Sequence, residues 1–508
     1  MKIEITKKYL VFPVNTLSSM KKLSFRNGEN AVYQLNIKLD NLTPNFYAYL
    51  NVSRFMGQTL DLSVTPEMDL RFEVVDEMDI SGTYREPMRP QIHFTTQNGW
   101  INDPNGLIYL DGTYHMFYQH NPAEPNWENM HWGHAESKDL IHWEEKPAAL
   151  FPDHRGTMFS GSAFLDQKNA LGKGGNAALL FYTTTSPFCQ HMSYSLDNFK
   201  TIIPFSDTPV VPHIMAENRD PKIVYCEELD CYVMMLYLDR DEYCMLTSHN
   251  LSDWAEFQRI HLPGDGECPD IFCLRDPAGN RRWVIMGASS KYLVGQFKDG
   301  KFVACQEVQP LHYGSAAYAG QTFSNLPDGR VVRVDWDRWG LPADRFNGQM
   351  GIPMELTLDQ HRDKYYLQAK PVTELDCICK ETAVFVTPQI PFRTELEKSP
   401  YLLKLTGKGL GLLTLTVFGR TIRFDFEKNQ LWMAGCTAPI SVAEDNLDVT
   451  VIVDRCSLEL YADNGRIYVS AVNNETISDY NIPYLTVSAD EDTVLDRIEV
   501  TALESIWA

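Results

Sequence analysis

Three acidic residues lie one or two positions before a proline, in segments rich in turn-forming residues. Asp103 lies in the run Trp-Ile-Asn-Asp-Pro-Asn-Gly, Asp220 is the centre of Arg-Asp-Pro, and Glu267 begins Glu-Cys-Pro. Proline fixes its own φ and biases the preceding residue towards extended geometry, so these segments predict carboxylates held stiffly at strand ends. A carboxylate on each side of a glycosidic bond can cleave that bond, one acting as nucleophile and the other as acid/base.

Each segment also has a plainer interpretation. Asp103 could sit in a hairpin corner and accept backbone N–H bonds, with Asn-Gly after Pro104 forming a tight turn. Arg219 and Asp220 could form a solvated ion pair in a surface turn. The tripeptide Arg-Asp-Pro recurs at Asp276, which we interpret as a hairpin loop. The order and neighbours of the segments must therefore decide between these interpretations.

Metal binding is a further alternative. His131 and His134 could be half of a zinc site, but no Cys or second His pair follows at metal-ligand spacing. Asp265, Glu267 and Asp270 lack the ordered ligand spacing of known calcium loops. Glu267 follows a glycine-rich and hence flexible approach, and neighbouring carboxylates with partial desolvation would raise its pKa so that it could act as an acid. The sequence predicts no metal and no cofactor.

Aromatic and neutral hydrogen-bonding residues accompany the carboxylates. Gln119 and Trp127 follow the first segment, whereas Phe159 and Ser160 carry a weak signal by themselves. Aromatic faces stack on the C–H side of a sugar, and amides and carboxylates bind its hydroxyls. Arg219 can hold a neighbouring carboxylate or a substrate oxygen by charge-assisted hydrogen bonds. This mixture indicates a carbohydrate ligand.

Composition excludes other classes of partner. The 508 residues suggest two or three domains, and the net charge of -22 disfavours nucleic acid and anionic membranes. The first residues lack the long apolar region and cleavage site expected of a signal peptide, and no apolar stretch approaches the roughly 18 residues of a membrane span. The 11 cysteines are scattered as reduced core thiols would be. We expect a cytoplasmic protein, although a processed secreted form would look the same, and the sequence does not indicate the oligomeric state.

Short apolar runs separated by hairpin signals predict an all-β protein. Asp-Gly at 111–112 separates two strands, and a Ser-x-Asp/Asn corner ending in an aromatic residue recurs at 137–143, 195–199 and 248–254. A period near 50 residues is typical of four-stranded propeller blades. The predicted divisions are a small N-terminal β-rich domain at 1–88, a β-propeller catalytic domain at 89–375, a connector at 376–399 and a β-sandwich at 400–508.

Taken together and in this order, residues 100–106, 159–162, 219–221 and 267–269 resemble glycoside hydrolase family 32, which comprises invertases, fructan hydrolases and sucrose-6-phosphate hydrolases. Residues 453–461 resemble a signature strand of the family's C-terminal sandwich. The resemblance implies a five-bladed β-propeller followed by a β-sandwich. It further implies retaining hydrolysis of β-fructofuranosides without a metal.

The resemblance also implies roles for individual residues. Asp103 would be the nucleophile, Glu267 the acid/base, and Asp220 a transition-state stabiliser assisted by Arg219. The residues implied to line the terminal fructose subsite are Asn102, Gln119, Trp127, Phe159 and Ser160.

Two segments that should shape the leaving-group side of the site depart from the family pattern. Residues 311–318 lack the usual Asp before Tyr-Gly, and residues 334–339 replace a Gly-Trp stretch. We therefore expect an exo-β-fructosidase acting on sucrose or on inulin-type or levan-type fructans, with leaving-group preference open. A fructosyltransferase using the same covalent intermediate and a non-catalytic fructan-binding protein are the alternatives.

Overall fold

The structure, a computed structural model, describes residues 1–339, 345–409, 411–440, 446–473, 476, 482–491 and 493–507. Within these ranges β-strands make up nearly all of the regular secondary structure, as predicted. Helical residues in the described ranges are confined to the 3-10 turns Ser53–Phe55, Thr373–Ile378 and Asp463–Gly465. Nowhere in this described part is a helix long and apolar enough to cross a membrane.

Two small sheets pack together at the N-terminus and are called the N-terminal module. One sheet has the strand order β1-β6-β3-β4 and the other the order β5-β2-β7. Strands such as β6 alternate between exposed and buried residues, so each sheet buries one face in a shared apolar core. The strands are β1 (Lys2–Glu4), β2 (Tyr9–Val14), β3 (Lys21–Asn27), β4 (Asn30–Ile37), β5 (Phe46–Asn51), β6 (Thr59–Thr65) and β7 (Glu73–Val75).

The next part of the chain forms five antiparallel sheets, counted over the described residues, which are the blades of a β-propeller. Blade 1 contains β8 (Gly99–Leu110), β9 (Thr113–Asn121), β10 (His131–Ser137) and β11 (Trp143–Leu150), and blade 2 contains β12 (Met158–Asp166), β13 (Ala177–Thr185), β14 (Phe188–Ser195) and β15 (Ile203–Pro204). Blade 3 contains β16 (Arg219–Cys226), β17 (Cys231–Asp239), β18 (Glu242–Ser248) and β19 (Ala255–His261), and blade 4 contains β20 (Asp270–Arg275), β21 (Arg281–Met286), β22 (Lys291–Lys298), β23 (Lys301–Ala304) and β24 (Gln309–Pro310). Blade 5 contains β25 (Ala317–Thr322), β26 (Val331–Asp337), β28 (Gln349–Met350), β29 (Met354–His361) and β30 (Lys364–Pro371), while β27 (Phe346–Asn347) pairs with β8 of blade 1.

The first strand of each blade is its inner strand, and the inner strands form a closed ring. β8 contacts β12, β12 contacts β16, β16 contacts β20, β20 contacts β25, and β25 returns to β8. The parallel pairing of β27 with β8 joins the end of the propeller to its beginning. Second strands such as β13 and β17 are buried along nearly their whole length because neighbouring blades cover both of their faces. This explains why they read as continuous apolar runs.

The recurring Ser-x-Asp/Asn corner marks equivalent positions in three blades. Ser137, Ser195 and Ser248 each end the third strand of their blade. Each serine hydroxyl donates to the Asp or Asn two residues later, at 3.1, 2.9 and 3.1 Å respectively. The prediction of one corner per blade is confirmed for these blades, and the predicted hairpin at 111–112 is confirmed by the two-residue turn between β8 and β9.

A sandwich of two sheets completes the described part of the chain, with the orders β31-β42-β33-β38-β39-β40 and β32-β41-β34-β35-β36-β37. Its strands are β31 (Cys379–Val386), β32 (Phe392–Glu395), β33 (Tyr401–Lys408), β34 (Leu412–Val417), β35 (Arg420–Asp425), β36 (Gln430–Met433), β37 (Cys436–Pro439), β38 (Asn446–Val453), β39 (Ser457–Ala462), β40 (Ile467–Val472), β41 (Tyr484–Ala489) and β42 (Val494–Leu503). The predicted connector at 376–399 is therefore wrong, because β31 and β32 lie in it. Both strands lie at sheet edges and are mostly exposed, so they lack the apolar alternation that would have revealed them. The other predicted boundaries stay predictions.

A buried charged cluster joins the propeller to the sandwich. His93, just before β8, lies 2.8 Å from Asp454 through Nδ1 and 2.9 Å from Glu459 through Nε2. All three side chains are fully buried. Burial alone would lower the pKa of His93, but hydrogen bonds to the two carboxylates outweigh burial and raise this pKa to about 10. The strand resembling the family's signature thus supplies the carboxylates of an interdomain contact.

Candidate active site

An open cavity of about 400 Å³ lies at the propeller axis, near the beginnings of the inner strands. Each residue predicted from the sequence to belong to the site lines this cavity. These residues are Asn102, Asp103, Gln119, Trp127, Phe159, Ser160, Arg219, Asp220 and Glu267. The cavity is also lined by Met130, Glu217, Cys268, Tyr318 and Trp336.

Asp103 lies inside a long strand and not at a corner. β8 runs unbroken from Gly99 to Leu110, and its pairing with β9 slips between Ile101 and Pro104 and again after Asn105. A β-bulge re-aims the side chains of the strand without ending it. The hairpin-corner interpretation and the strand-end placement are therefore wrong, because turn-forming residues here create bulges that direct Asp103 towards the axis.

The Asp103 carboxylate is held by three donors. Ser160 Oγ donates to Oδ2 at 2.6 Å, Asn102 Nδ2 donates to Oδ1 at 3.0 Å, and the Cys268 thiol lies 3.4 Å from Oδ2. The Asn102 amide is itself oriented by Trp100, whose indole N–H donates to it at 2.7 Å. Burial raises the pKa of Asp103, and the donors act against that rise because they favour the ionised form.

Asp220 lies on the inner strand of blade 3, where the backbone is strained. Its φ is +66°, a left-handed conformation, whereas the following proline predicted an extended one. The pairing of β16 with β17 slips at this position, and the local bulge overrides the preference. Asp220 Oδ2 accepts the backbone N–H of Cys268 at 2.9 Å and lies 3.7 Å from Arg219 Nε. Burial raises the pKa of Asp220 to about 7, with Arg219 opposing the rise and the charge of Asp103 adding to it.

Glu267 stands just before the inner strand of blade 4 on a rigid segment. Asp265 accepts backbone N–H bonds from Gly266, Ser289 and Lys291, each at 2.9 Å. A Cβ added to Gly266 would lie 2.4 Å from the Arg240 carbonyl oxygen, so glycine is needed for close approach and not for flexibility. The expectation of a flexible approach is wrong for this reason.

Two donors orient the Glu267 carboxylate. Arg219 Nη2 donates to Oε1 at 2.6 Å, and the Tyr318 hydroxyl donates to Oε2 at 2.5 Å. Arg219 thus links Glu267 and Asp220, although its shorter contact is to Glu267. Glu267 and Cys268 have φ values of +58° and +35°, so the segment between two blades is strained where it presents the acid.

The aromatic side of the cavity lies on blades 1 and 2. Trp127, 54% exposed, meets the Phe159 ring edge to face at 6.2 Å between centroids. Gln119 on β9 is buried and donates from Nε2 to the Met158 carbonyl oxygen at 3.0 Å. Ser160 follows a register slip between Phe159 and Gly161. Trp127 and Phe159 therefore give the cavity an apolar wall on blades 1 and 2.

Sequence reasoning missed several lining residues. Cys268 has its sulfur 3.4 Å from Asp103 Oδ2 and 3.5 Å from Asp220 Oδ2, and its place next to Glu267 was the available signal. Tyr318 and Trp336 come from the two segments flagged as departures from the family pattern. Glu217 and Met130 carried no signal in the sequence.

Two alternative interpretations from sequence, the second Arg-Asp-Pro and the calcium loop, have clear structural outcomes. Asp276 accepts N–H bonds from Ala278 and Asn280 in the loop between β20 and β21, which confirms the hairpin interpretation of the second Arg-Asp-Pro. The calcium interpretation also fails on geometry, because the Asp270 carboxylate turns to Lys222 at 3.0 Å and to Thr322.

The two histidines of the zinc hypothesis have different neighbours. His131 lies 2.9 Å from the Tyr33 hydroxyl, whereas His134 lies 3.1 Å from His115. His134, His115 and Glu136 have ligand atoms close enough for a metal ion, but they lie outside the cavity. The cavity itself offers carboxylates already bonded to arginine, hydroxyl and amide donors, an arrangement suited to acid/base and nucleophilic chemistry.

Comparisons with known proteins agree with this geometry. Residues 93–371 match the family model described as "Glycosyl hydrolases family 32 N-terminal domain". The chain is 36% identical over 332 residues to a levanase of Bacillus subtilis (strain 168), covering 59% of this chain and 49% of that protein. It is 32% identical over 350 residues to an extracellular exo-inulinase of Aspergillus niger, covering 57% of this chain and 65% of that protein. The chain thus spans about half to two thirds of the length of these curated relatives.

Among solved structures, the exo-inulinase from Aspergillus awamori superposes with a TM-score of 0.75 at 24% identity, covering 84% of this chain and all of that one. At that identity the likeness supports the fold, a propeller followed by a sandwich. Because the family model covers more than half of the 508 residues, the chain belongs to glycosyl hydrolase family 32.

Proposed function

We propose that this chain is a retaining glycosidase that releases terminal β-fructofuranosyl units from sucrose, fructo-oligosaccharides or fructans of the inulin or levan type. The observation that carries the proposal is the convergence of Asp103, Asp220 and Glu267 on one cavity that Trp127 and Phe159 also line. The relatives named levanase and exo-inulinase support a fructan substrate.

The first step uses Asp103 and Glu267 together. An Asp103 oxygen attacks the anomeric carbon, the glycosidic C–O bond breaks, and the leaving oxygen takes a proton from Glu267. Asn102 and Ser160 hold the Asp103 carboxylate by hydrogen bonds, so the attacking group is oriented before substrate binds. A separation of roughly 5 to 5.5 Å between the two carboxyl groups is expected for retention.

The second step regenerates the enzyme. The Glu267 carboxylate takes a proton from water, the water oxygen bonds to the anomeric carbon, and the ester bond to Asp103 breaks. Fructose leaves with its original anomeric configuration. The donors Arg219 and Tyr318 contact different oxygens of Glu267, so the carboxyl group keeps its position while its proton leaves and returns.

Asp220 and the apolar wall recognise the fructosyl unit. A carboxylate at Asp220 accepts hydrogen bonds from fructose hydroxyls, and these bonds strengthen as positive charge develops on the ring. Gln119 faces the same subsite, and Trp127 and Phe159 pack against the C–H side of the sugar. Tyr318, which donates to Glu267, contacts the leaving group. No cofactor takes part in these steps.

Product analysis tests the proposal. The chain is incubated with sucrose, sucrose-6-phosphate, short inulin and levan, and early products are resolved by chromatography and by proton NMR of the first-formed anomer. Fructose from chain ends with retained configuration is expected. Longer oligosaccharides at high sucrose would instead indicate a fructosyltransferase. Tight fructan binding without any released sugar would indicate a binding protein and contradict the proposal.

A further inference from the structure

The loop between β9 and β10, residues 122–130, carries part of the active-site wall and is called the Trp127 loop. Trp127 and Met130 line the cavity from this loop. Trp127 is 54% exposed and touches the rest of the wall through Phe159, so its position depends on the backbone that carries it. The contacts beneath the loop therefore bear on substrate binding.

The N-terminal module binds the Trp127 loop through its edge strand β4. Asn129 accepts the backbone N–H of Asn36 at 2.7 Å and donates to the Asn36 carbonyl oxygen at 2.6 Å. The side-chain amide thus pairs with the strand as another strand would, covering part of an otherwise open edge. The Asn36 side chain also donates to Glu128 at 3.1 Å.

A nearly buried ion pair adds to this contact. Lys38 Nζ lies 2.8 Å from Glu124 Oε2, and the side chains are 20% and 1% exposed. The same Glu124 oxygen accepts the Asn126 amide at 2.8 Å, immediately before Trp127. Ala123 is packed in the apolar core of the module. Charge, amide and apolar contacts from one module therefore converge on one loop.

We propose that the N-terminal module sets the substrate affinity of the active site by holding the Trp127 loop, with Lys38 as a positioning residue. The proposal rests on the proposed function, in which Trp127 packs on the fructosyl unit. A loop released from the module must be ordered again when substrate binds, and that ordering weakens binding without altering the reacting carboxylates. The module thereby gains a role in the site without contributing a residue to it.

Kinetics of Lys38→Met test the proposal against two controls. Lys38→Arg keeps the charge, and Lys21→Met makes the same change elsewhere in the module, where the Lys21 ammonium donates to Ser19. For Lys38→Met we expect KM to rise about fivefold to tenfold with kcat changed less than about twofold. Lys38→Arg and Lys21→Met should keep KM near that of the unaltered protein. An unchanged KM in Lys38→Met would overturn the proposal.

A double-mutant cycle shows whether Lys38 acts through Trp127. In a Trp127→Ala background, Lys38→Met should raise KM by less than about 1.5-fold, because the group it positions is gone. An equal rise in both backgrounds would show that Lys38 acts by another route. If Lys38→Met does not fold, Asn129→Ala provides the same cycle, since it breaks the pairing with β4 and leaves Glu124 paired.

Hydrogen exchange separates this inference from the proposed function. Backbone amides of residues 122–130 should exchange about tenfold faster in Lys38→Met than in Lys21→Met, without any substrate present. Equal exchange in the two variants would refute the holding role even in an active enzyme. A protein that releases no fructose would refute the proposed function, while the exchange comparison would still decide the inference.

Discussion

Replacing Asp220 by asparagine should remove most activity and yet stabilise the folded protein, with a gain that grows with pH. Burial raises the pKa of Asp220 to about 7 from an ordinary 3.8. The folded state therefore keeps a proton that the unfolded chain has lost between about pH 4 and pH 7. Stability must fall as pH rises through this window and level off above pH 7. Asparagine does not titrate in this range, so the variant does not undergo this loss of folding stability.

The magnitude follows from the two pKa values. Their difference (7 minus 3.8) corresponds to about 4 kcal/mol at pH 8, at 1.36 kcal/mol per pH unit. At pH 5 only the range from 3.8 to 5 contributes, and the loss of stability there is between about 1 and 2 kcal/mol. An asparagine oxygen can still accept the Cys268 N–H, now 2.9 Å from Asp220 Oδ2. The free energy of unfolding of Asp220→Asn, relative to that of the unaltered protein, should therefore increase by about 3 kcal/mol between pH 5 and pH 8.

Thermal unfolding at pH 5, 6, 7 and 8 measures this difference. For a cooperative unit of propeller or whole-chain size, the Tm advantage of Asp220→Asn should widen by about 2 to 5 °C across the series. Asp276→Asn is the matched control from the second Arg-Asp-Pro. Hydrogen bonds from Asn280 and the charge of Arg282 outweigh burial and lower the pKa of Asp276, so this variant should lose stability at neutral pH. An Asp220→Asn gain that is absent at pH 8, or equal at pH 5 and pH 8, would refute the reasoning.

Further predictions concern the reacting groups and the interdomain cluster. Asp103→Ala and Glu267→Ala should each lower kcat for fructose release by at least about a thousandfold, and near-normal turnover in either would contradict its role. Tyr318→Phe should lower kcat/KM about tenfold because Glu267 loses one of its two donors; unchanged kinetics would remove Tyr318 from the mechanism. His93→Gln should cost about 3 to 5 kcal/mol in urea unfolding at pH 6, because it leaves two buried carboxylates without their cation. Since the pKa of His93 is raised to about 10, its contribution is complete below the ordinary value of 6.5 and is lost as pH rises through 10, where the two proteins should converge.

The order of the motifs, with the family resemblance that it carries, identified three acidic residues that line one cavity. Asp103, Asp220 and Glu267 lie on or just before the inner strands of three different blades, and a propeller brings those strands to one axis. The repeated serine corner likewise reported the blade period, because the same hydrogen bond closes the same position in successive blades. The motifs and the serine corner are short sequence patterns, and the serine corner recurs in three successive blades.

Bulges and strained residues could not be predicted in the same way. The two slips in β8 and the positive φ of Asp220 depend on pairing with neighbouring strands, which overrides the preferences of proline and of Asn-Gly. Tyr318 bonds to Glu267 across 51 residues of sequence, a distance at which spacing carries no information. β31 and β32 were missed because edge strands show little apolar alternation.

The charge of the cavity bears on which sugars it accepts. Asp103, Glu217, Asp220 and Glu267 line it, and Arg219 is the cation among the described lining residues. That arginine is already bonded to Glu267 at 2.6 Å and lies 3.7 Å from Asp220. At an effective dielectric constant of about 20, an ionised carboxylate roughly 6 Å from a phosphate charge would repel it by about 3 kcal/mol. A phosphate group on the sugar would meet this repulsion without a free cation among those residues to offset it. We therefore expect sucrose and neutral fructans to be cleaved in preference to sucrose-6-phosphate, which a comparison of kcat/KM for these substrates checks.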